Sequence, residues 1–104
     1  AWAGIGWAGG TVVAAMPMLR AGELAKLVDT AQISHAIIHT GSREGFDGIG
    51  RRGIKAWFFD GDAGTGALEA ALDTTAPGLP PADTAADEPA LIAFTSGTTG
   101  NPKA

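Results

Sequence analysis

The stretch AGELAKLVDTAQISHAIIH, residues 21–39, joins a helical pattern to a strand pattern within one short run of sequence. Its apolar positions at i, i+3, i+4 and i+7 are Leu24, Leu27, Val28 and Ala31. This spacing predicts a helix over 23–31 with one apolar face. Residues 33–39, centred on Ala-Ile-Ile, predict a strand. A helix that leads directly into an apolar strand is typical of α/β folds.

The same alternation continues on both sides of this segment. The other predicted strands are 11–15, 54–59 and 90–94, and the other predicted helices are 1–8, which Gly9 and Gly10 would end, and 67–72. Residues 41–53 are polar and glycine-rich, and they predict a loop with one helical turn. The proline-rich residues 74–89 predict a surface connection within the domain.

Apolar strands that alternate with helices favour parallel pairing, because helices then cover both faces of the sheet. We therefore expect an α/β fold in which one mainly parallel sheet, with flanking helices, contains all four strands. Ligands of such sheets bind beyond the carboxyl ends of the strands. The loop that follows Phe94 lies at such an end, which makes it the first candidate for a binding site.

The composition excludes several classes of protein. The 104 residues hold seven Lys plus Arg against eleven Asp plus Glu, whereas a nucleic-acid surface needs clustered cations. Cys is absent, which excludes a thiolate metal site and a Cys nucleophile within this segment. Residues 1–19 carry no charge, but glycines and Pro17 interrupt them, so they do not predict a membrane span. No Lys or Arg precedes the apolar part, so they do not predict a signal peptide either. We expect a soluble, cytoplasmic protein with no nucleic-acid partner.

Three patterns resemble binding motifs but stand in the wrong context. The string G-x-G-x-x-G occurs at 4–9 and 48–53, and each match precedes a predicted strand, whereas a dinucleotide fingerprint follows one. His35 and His39 would lie about 13 Å apart on a strand, too far to share a metal ion. Asp60 opens an Asp-Gly-Asp run, but the later positions of a calcium loop are not matched. We therefore predict no metal site in this segment.

The segment FTSGTTGNPK, residues 94–103, combines the groups that bind a polyphosphate. Four hydroxyl side chains lie within five residues, and Gly97 and Gly100 let the backbone turn so that successive N–H groups form an anion-binding nest. Lys103 adds a mobile positive charge that suits a phosphate. The spacing differs from the common P-loop, in which Lys directly follows the second Gly. The alternative is a surface loop without a ligand, but a loop that follows an apolar strand and ends in Pro-Lys favours phosphate binding.

Residues 94–103 resemble the phosphate-binding loop of the adenylate-forming superfamily, which includes acyl-CoA synthetases, peptide-synthetase adenylation domains and luciferases. Residues 8–13 and 16–24 also resemble these ligases, whereas 41–53 match poorly and Ala104 replaces a common Gly. The resemblance implies that residues 1–104 are part of an AMP-binding (adenylation) domain, a fragment of the large N-terminal domain that is truncated at both ends. The phosphate-binding residues that it implies are Thr95, Ser96, Gly97, Thr98, Thr99, Gly100 and Lys103.

The resemblance also implies a reaction. A carboxylate attacks the α-phosphate of ATP to form an acyl-adenylate and pyrophosphate, and the thiol of CoA then releases AMP. ATP, Mg²⁺ and CoA are the implied cofactors and co-substrates, whose remaining ligands, with the lysine used in adenylation, are expected beyond Ala104. No catalytic residue is therefore expected in this segment, which should be inactive alone. Residues 15–20 and 83–94 are most similar to aromatic acid–CoA ligases of the benzoate and 2-aminobenzoate type.

Two other functions fit the residues alone. One is a nucleotide- or phosphate-binding α/β module without chemistry, and the other is a structural α/β segment whose loop is empty. A Tyr-Gly-x-Thr-Glu-like motif further along the parent sequence would favour the enzyme over both.

Overall fold

The computed structural model describes residues 1–50, 53–60 and 67–94, and it shows an α/β fold with parallel strands and helices. The elements in chain order are α1 (Trp2–Trp7), β1 (Val12–Ala14), α2 (Ala21–Ala31), β2 (His35–His39), a 3-10 turn (Thr40–Ser42), α3 (Arg43–Asp47), β3 (Lys55–Phe59), α4 (Ala67–Thr74) and β4 (Leu91–Ala93). The chain divides into a first unit, residues 1–15 with 77–104, and a second unit, residues 16–76.

The second unit is built on the parallel pair β2–β3. The register runs from His35 opposite Lys55 to His39 opposite Phe59, and the crossover between the strands occupies residues 40–54. A parallel pair needs such a crossover, because a tight turn would return the chain in the antiparallel direction. The 3-10 turn and α3 lie within this crossover, and α4 packs against β3.

The core of the second unit lies between α2 and α3. Leu27 and Val28 of α2 are buried, at 3% and 6% exposure, and so is Ile49, which follows α3. The Phe46 ring of α3 meets the Phe58 ring of β3 edge-on, with centroids 6.0 Å apart. The helical turn predicted within 41–53 is α3, and Ile49, which follows it, supplies a core side chain.

The ends of α2 show how short polar contacts delimit a helix. At its start, the Arg20 N–H donates to the Glu23 carboxylate at 3.0 Å, which satisfies a backbone donor that has no partner within the helix. At its end, Gln32 adopts the left-handed conformation, with φ 51° and ψ 48°, and the Ile33 N–H donates to the Val28 carbonyl. A residue other than glycine in this left-handed conformation costs about 1 kcal/mol of backbone strain.

The first unit begins with α1, and the two glycines predicted to end this helix, Gly9 and Gly10, directly follow its C-cap Ala8. Gly9 has φ 78°, and the N–H groups of Gly9 and Gly10 donate to the carbonyls of Gly6 and Ile5. This pair of hydrogen bonds is the Schellman arrangement, which needs a residue that tolerates positive φ. The chain then enters β1, which pairs in parallel with β4 from Val12 opposite Leu91 to Ala14 opposite Ala93.

The strand pairing corrects one expectation from the sequence. The four strands were expected in one sheet, but the described residues form two parallel pairs, β1–β4 and β2–β3. All pairing is parallel, so the predicted strand direction is confirmed. Alternation of helices and strands constrains strand direction, whereas the choice of neighbours depends on contacts between residues far apart in sequence.

Residues 75–90 are exposed throughout and contain neither helix nor strand. In the portion of the chain that the structure covers, no helix is long and apolar enough to cross a membrane.

The buried face of α2 yields a stability prediction. We expect Leu27→Ala to lower the free energy of unfolding by about 2–4 kcal/mol, because it leaves a cavity among packed side chains. Chemical denaturation monitored by tryptophan fluorescence measures this change, since Trp57 lies on β3 of the same unit.

The matched control is Leu72→Ala on α4, where the same atoms are removed from a side chain that is 64% exposed. We expect this variant to stay within about 0.5 kcal/mol of the wild type. Equal losses in the two variants would contradict the assignment of Leu27 to the core.

Candidate functional site

The predicted phosphate-binding residues lie outside the described residues. They are Thr95, Ser96, Gly97, Thr98, Thr99, Gly100 and Lys103. What the structure describes is the strand that leads into them, β4, together with Phe94, which is half-buried. We call β4 and Phe94 the root of the loop. Its contacts are the described geometry of the candidate site.

Beside the root of the loop lies β1, the parallel partner of β4. Val13 is opposite Ile92 and Ala14 is opposite Ala93, so both strands end at the same edge of the pair. Ala14 and Ala93 are exposed there. The carboxyl edge of a parallel sheet is the usual place for a ligand, because connecting loops and their free backbone groups converge on it. The pairing thus brings Phe94 to an edge of the kind that binds ligands.

Two hydrogen bonds hold the opposite, amino-terminal end of this strand pair. The Val12 N–H donates to the Ala90 carbonyl at 3.1 Å, which opens the backbone ladder. The Thr11 hydroxyl donates to the Pro89 carbonyl at 2.8 Å, so each partner of this bond lies one residue earlier in the chain than in the first. The first bond uses only backbone atoms, whereas the second depends on the identity of residue 11.

The exposed connection before β4 is fastened to the end of α1. The Trp7 indole N–H donates to the Leu79 carbonyl at 2.9 Å, and the Ala82 N–H donates to the Trp7 carbonyl at 2.8 Å. Gly9 makes room for this approach, because a Cβ there would lie 2.9 Å from the Ala82 Cβ. These contacts join residues that are more than 70 positions apart in the sequence.

An open cleft lies at the amino-terminal end of the β1–β4 pair. Thr11, Thr84, Glu88 and the two glycines that end α1 are among the residues that line it, and its volume is about 80 Å³. Ligand pockets for drug-sized molecules occupy roughly 300–1,000 Å³. The cleft is too small for a nucleotide, and it lies at the end of the strands opposite to the predicted loop.

The two histidines lie on one face of β2, where each contacts an aromatic ring. His35 stacks on Trp57 with centroids 5.8 Å apart, and His39 meets the Phe59 ring edge-on at 5.4 Å. The Nδ1 atom of His39 also accepts a hydrogen bond from the Gly41 N–H at 3.1 Å. Both rings therefore have structural partners, in keeping with their assignment to a strand.

The other motif matches also have structural settings. The glycines of the string at 4–9 lie within α1 and at its end, and those at 48 and 50 follow α3 and precede β3. Asp60 follows β3, and the rest of the calcium-like run lies outside the described residues. Across residues 1–50, 53–60 and 67–94, no group of three or more His, Asp or Glu side chains is placed to hold a metal ion.

Comparison with known proteins gives one match that covers the whole chain. The model of a family described as AMP-binding enzyme matches residues 1–104, a range that includes both described units and the predicted phosphate loop. No curated protein and no solved structure matches the chain.

The parallel register at the loop root can be tested by cysteine cross-linking, for which a chain without Cys gives a clean background. We expect Ala14→Cys with Ala93→Cys to form a disulfide readily under mild oxidation, because adjacent strands lie about 4.8 Å apart. Non-reducing electrophoresis after proteolysis measures the yield.

The control pair is Ala14→Cys with Leu91→Cys, which the parallel register offsets by two residues. Its Cα atoms would lie about 8 Å apart, beyond the reach of an unstrained disulfide. A higher yield for this pair than for the first would indicate antiparallel pairing and overturn the register.

Proposed function

The chain belongs to the family of AMP-binding enzymes, and from that premise we propose that it is part of an acid–CoA ligase. Members of this family form adenylates and use ATP. In the proposed reaction, a carboxylic acid and ATP give an acyl-adenylate and pyrophosphate, and the thiol of CoA then takes the acyl group and releases AMP. The family match over residues 1–104 is the observation that carries the proposal.

Within this enzyme, residues 1–104 would form part of the adenylation domain, 74–89 an internal surface connection and 94–103 the phosphate-binding loop. The position of the loop supports this assignment, because it follows β4 at the carboxyl edge of a parallel pair. The remainder of the acyl, adenine and CoA sites would lie on residues beyond Ala104. No residue of this chain is assigned to Mg²⁺ or CoA.

The loop residues suit the charge that develops during adenylate formation. When the acid carboxylate attacks the α-phosphate, the bond to the bridging oxygen breaks and negative charge grows on the departing pyrophosphate. Backbone N–H groups around Gly97 and Gly100, the Ser and Thr hydroxyls of residues 95–99 and the ammonium group of Lys103 are donors of the kind that stabilise this charge. Their contribution is largest when the dipoles are already oriented before the reaction.

Lys103 gives the most direct test of this role. We expect Lys103→Ala in the complete protein to weaken ATP use and to slow adenylate formation, because it removes a charge-assisted contact to phosphate. Such contacts are worth about 1.5–3 kcal/mol, which corresponds to a fall of roughly 10- to 150-fold in kcat/KM for ATP. Acid-dependent exchange of labelled pyrophosphate into ATP measures the effect.

The matched control is Lys55→Ala, which removes the same charge from an exposed position at the start of β3. We expect this variant to exchange pyrophosphate at the wild-type rate. Wild-type exchange in Lys103→Ala would remove Lys103 from the mechanism, and an absence of exchange by the wild type with any acid would favour a nucleotide-binding module without chemistry.

The proposed substrate is an aromatic acid such as benzoate or 2-aminobenzoate. The similarity of residues 15–20 and 83–94 to aromatic acid–CoA ligases supports this choice, and fold alone would not specify it. A slot for a flat ring disfavours flexible chains, because each misplaced methylene costs about 1–3 kcal/mol and several add up.

We expect benzoate or 2-aminobenzoate to give the highest kcat/KM for AMP release among four acids, the others being acetate and a medium-chain fatty acid. The assay uses the complete protein with ATP, Mg²⁺ and CoA. If acetate or the fatty acid were preferred, the aromatic assignment would be wrong, whereas adenylate formation would stand.

A further inference from the structure

We propose that Thr11 anchors the start of β4 and is thereby a positioning residue for the ATP-binding loop. The inference rests on the proposed function of residues 95–103, and it gives a role to a residue outside the loop, within the stretch 8–13. The anchor is the hydrogen bond from the Thr11 hydroxyl to the Pro89 carbonyl, at 2.8 Å.

The side chains of β4, the strand that precedes the loop, bury little surface. β4 has three residues, of which Leu91 and Ala93 are exposed and Ile92 is half-buried. The buried apolar side chains of the described residues all belong to the second unit, so in the described part of the first unit no side chain is fully buried. The hydrogen bonds to β1 are therefore a main contribution to the position of β4.

Thr11 adds a bond where this short ladder begins. The chain reaches β4 from an exposed connection that ends at Pro89, and proline has no backbone N–H with which to join a ladder. The carbonyl of Pro89 is its only hydrogen-bonding group, and the Thr11 hydroxyl is its partner. Next to it, the Val12 N–H bonds to the Ala90 carbonyl. Two adjacent bonds thus fix the entry of the chain into β4.

The consequence for the loop follows from chain continuity. Thr95 is two residues after the last residue of β4, so fraying of this strand would displace the first donors of the loop. A binding site for a transition state loses effectiveness when its groups stray by about 0.5 Å, because the donors must already point at the developing charge. An anchor at the start of β4 therefore acts on ATP through the strand, without touching it.

The experiment compares Thr11→Val, which keeps the shape and removes the hydroxyl, with Thr11→Ser, which keeps the hydroxyl. In the complete protein, pyrophosphate exchange is measured at varied ATP and at varied acid. We expect Thr11→Val to raise KM for ATP and to lower kcat, so that kcat/KM for ATP falls by about two- to tenfold in total, as the loss of one exposed hydrogen bond allows. KM for the acid should stay unchanged, and Thr11→Ser should behave as the wild type.

The matched control is Thr84→Val, the same change at an exposed threonine of the first unit. It should leave all kinetic constants unchanged. A merely structural role of Thr11 would reduce the amount of active enzyme, which lowers the apparent kcat and leaves both KM values alone. Three results would overturn the proposal. They are a lower kcat with unchanged KM values in Thr11→Val, wild-type kinetic constants in Thr11→Val, and the same change of kinetic constants in Thr11→Ser as in Thr11→Val.

A second readout does not depend on enzymatic activity. The disulfide yield of Ala14→Cys with Ala93→Cys reports how firmly β4 lies against β1, and we expect it to fall about two- to tenfold when Thr11→Val is added. An unchanged yield would overturn the anchor even if the kinetics changed. If the wild type exchanged no pyrophosphate, the proposed function would fail, and this yield alone would decide whether Thr11 holds β4.

Discussion

Parallel strands cannot be joined by a tight turn, and the rest of this structure depends on that constraint. The pair β2–β3 is closed by the short crossover 40–54, which contains α3 and its contact with Phe58. The pair β1–β4 is closed by residues 15–90, so the sequence of the whole second unit lies between the two strands of the first. The chain must therefore return over this long segment before β4 can pair with β1. The pairing brings together residues that are far apart in sequence.

Local features of the fold could be predicted because the signals for them lie within a few residues. The apolar positions of α2 recur at helical spacing, and the two glycines after α1 provide the backbone freedom that its last turn needs. Strand order could not be predicted in this way, since it depends on pairings between distant residues. The helix α3 was harder to predict, because its sequence is polar and its only strong signal is the spacing of Phe46 and Ile49.

The same distinction between local signals and distant contacts applies to the candidate site. Phosphate binding by residues 95–103 is a prediction from their hydroxyls, glycines and lysine, because the residue types themselves suggest it, and these residues lie outside the described ones. The contacts that hold the root of the loop could not be predicted. A threonine before a strand has many uses, and only the parallel pairing shows that Thr11 reaches Pro89. Likewise, nothing in the sequence links the indole of Trp7 to Leu79.

These contacts between distant residues explain how an exposed connection can lead into a strand with a defined position. Residues 75–90 bury little surface, so hydrophobic burial does not offset the backbone entropy that is lost when they are ordered. Their prolines reduce that loss, because a proline has less freedom in the unfolded chain. Trp7 and Thr11 then hold the connection at 79, 82 and 89 through hydrogen bonds to its backbone groups. The entry to β4 is therefore held by hydrogen bonds to backbone groups, two of which are donated by the side chains of Trp7 and Thr11.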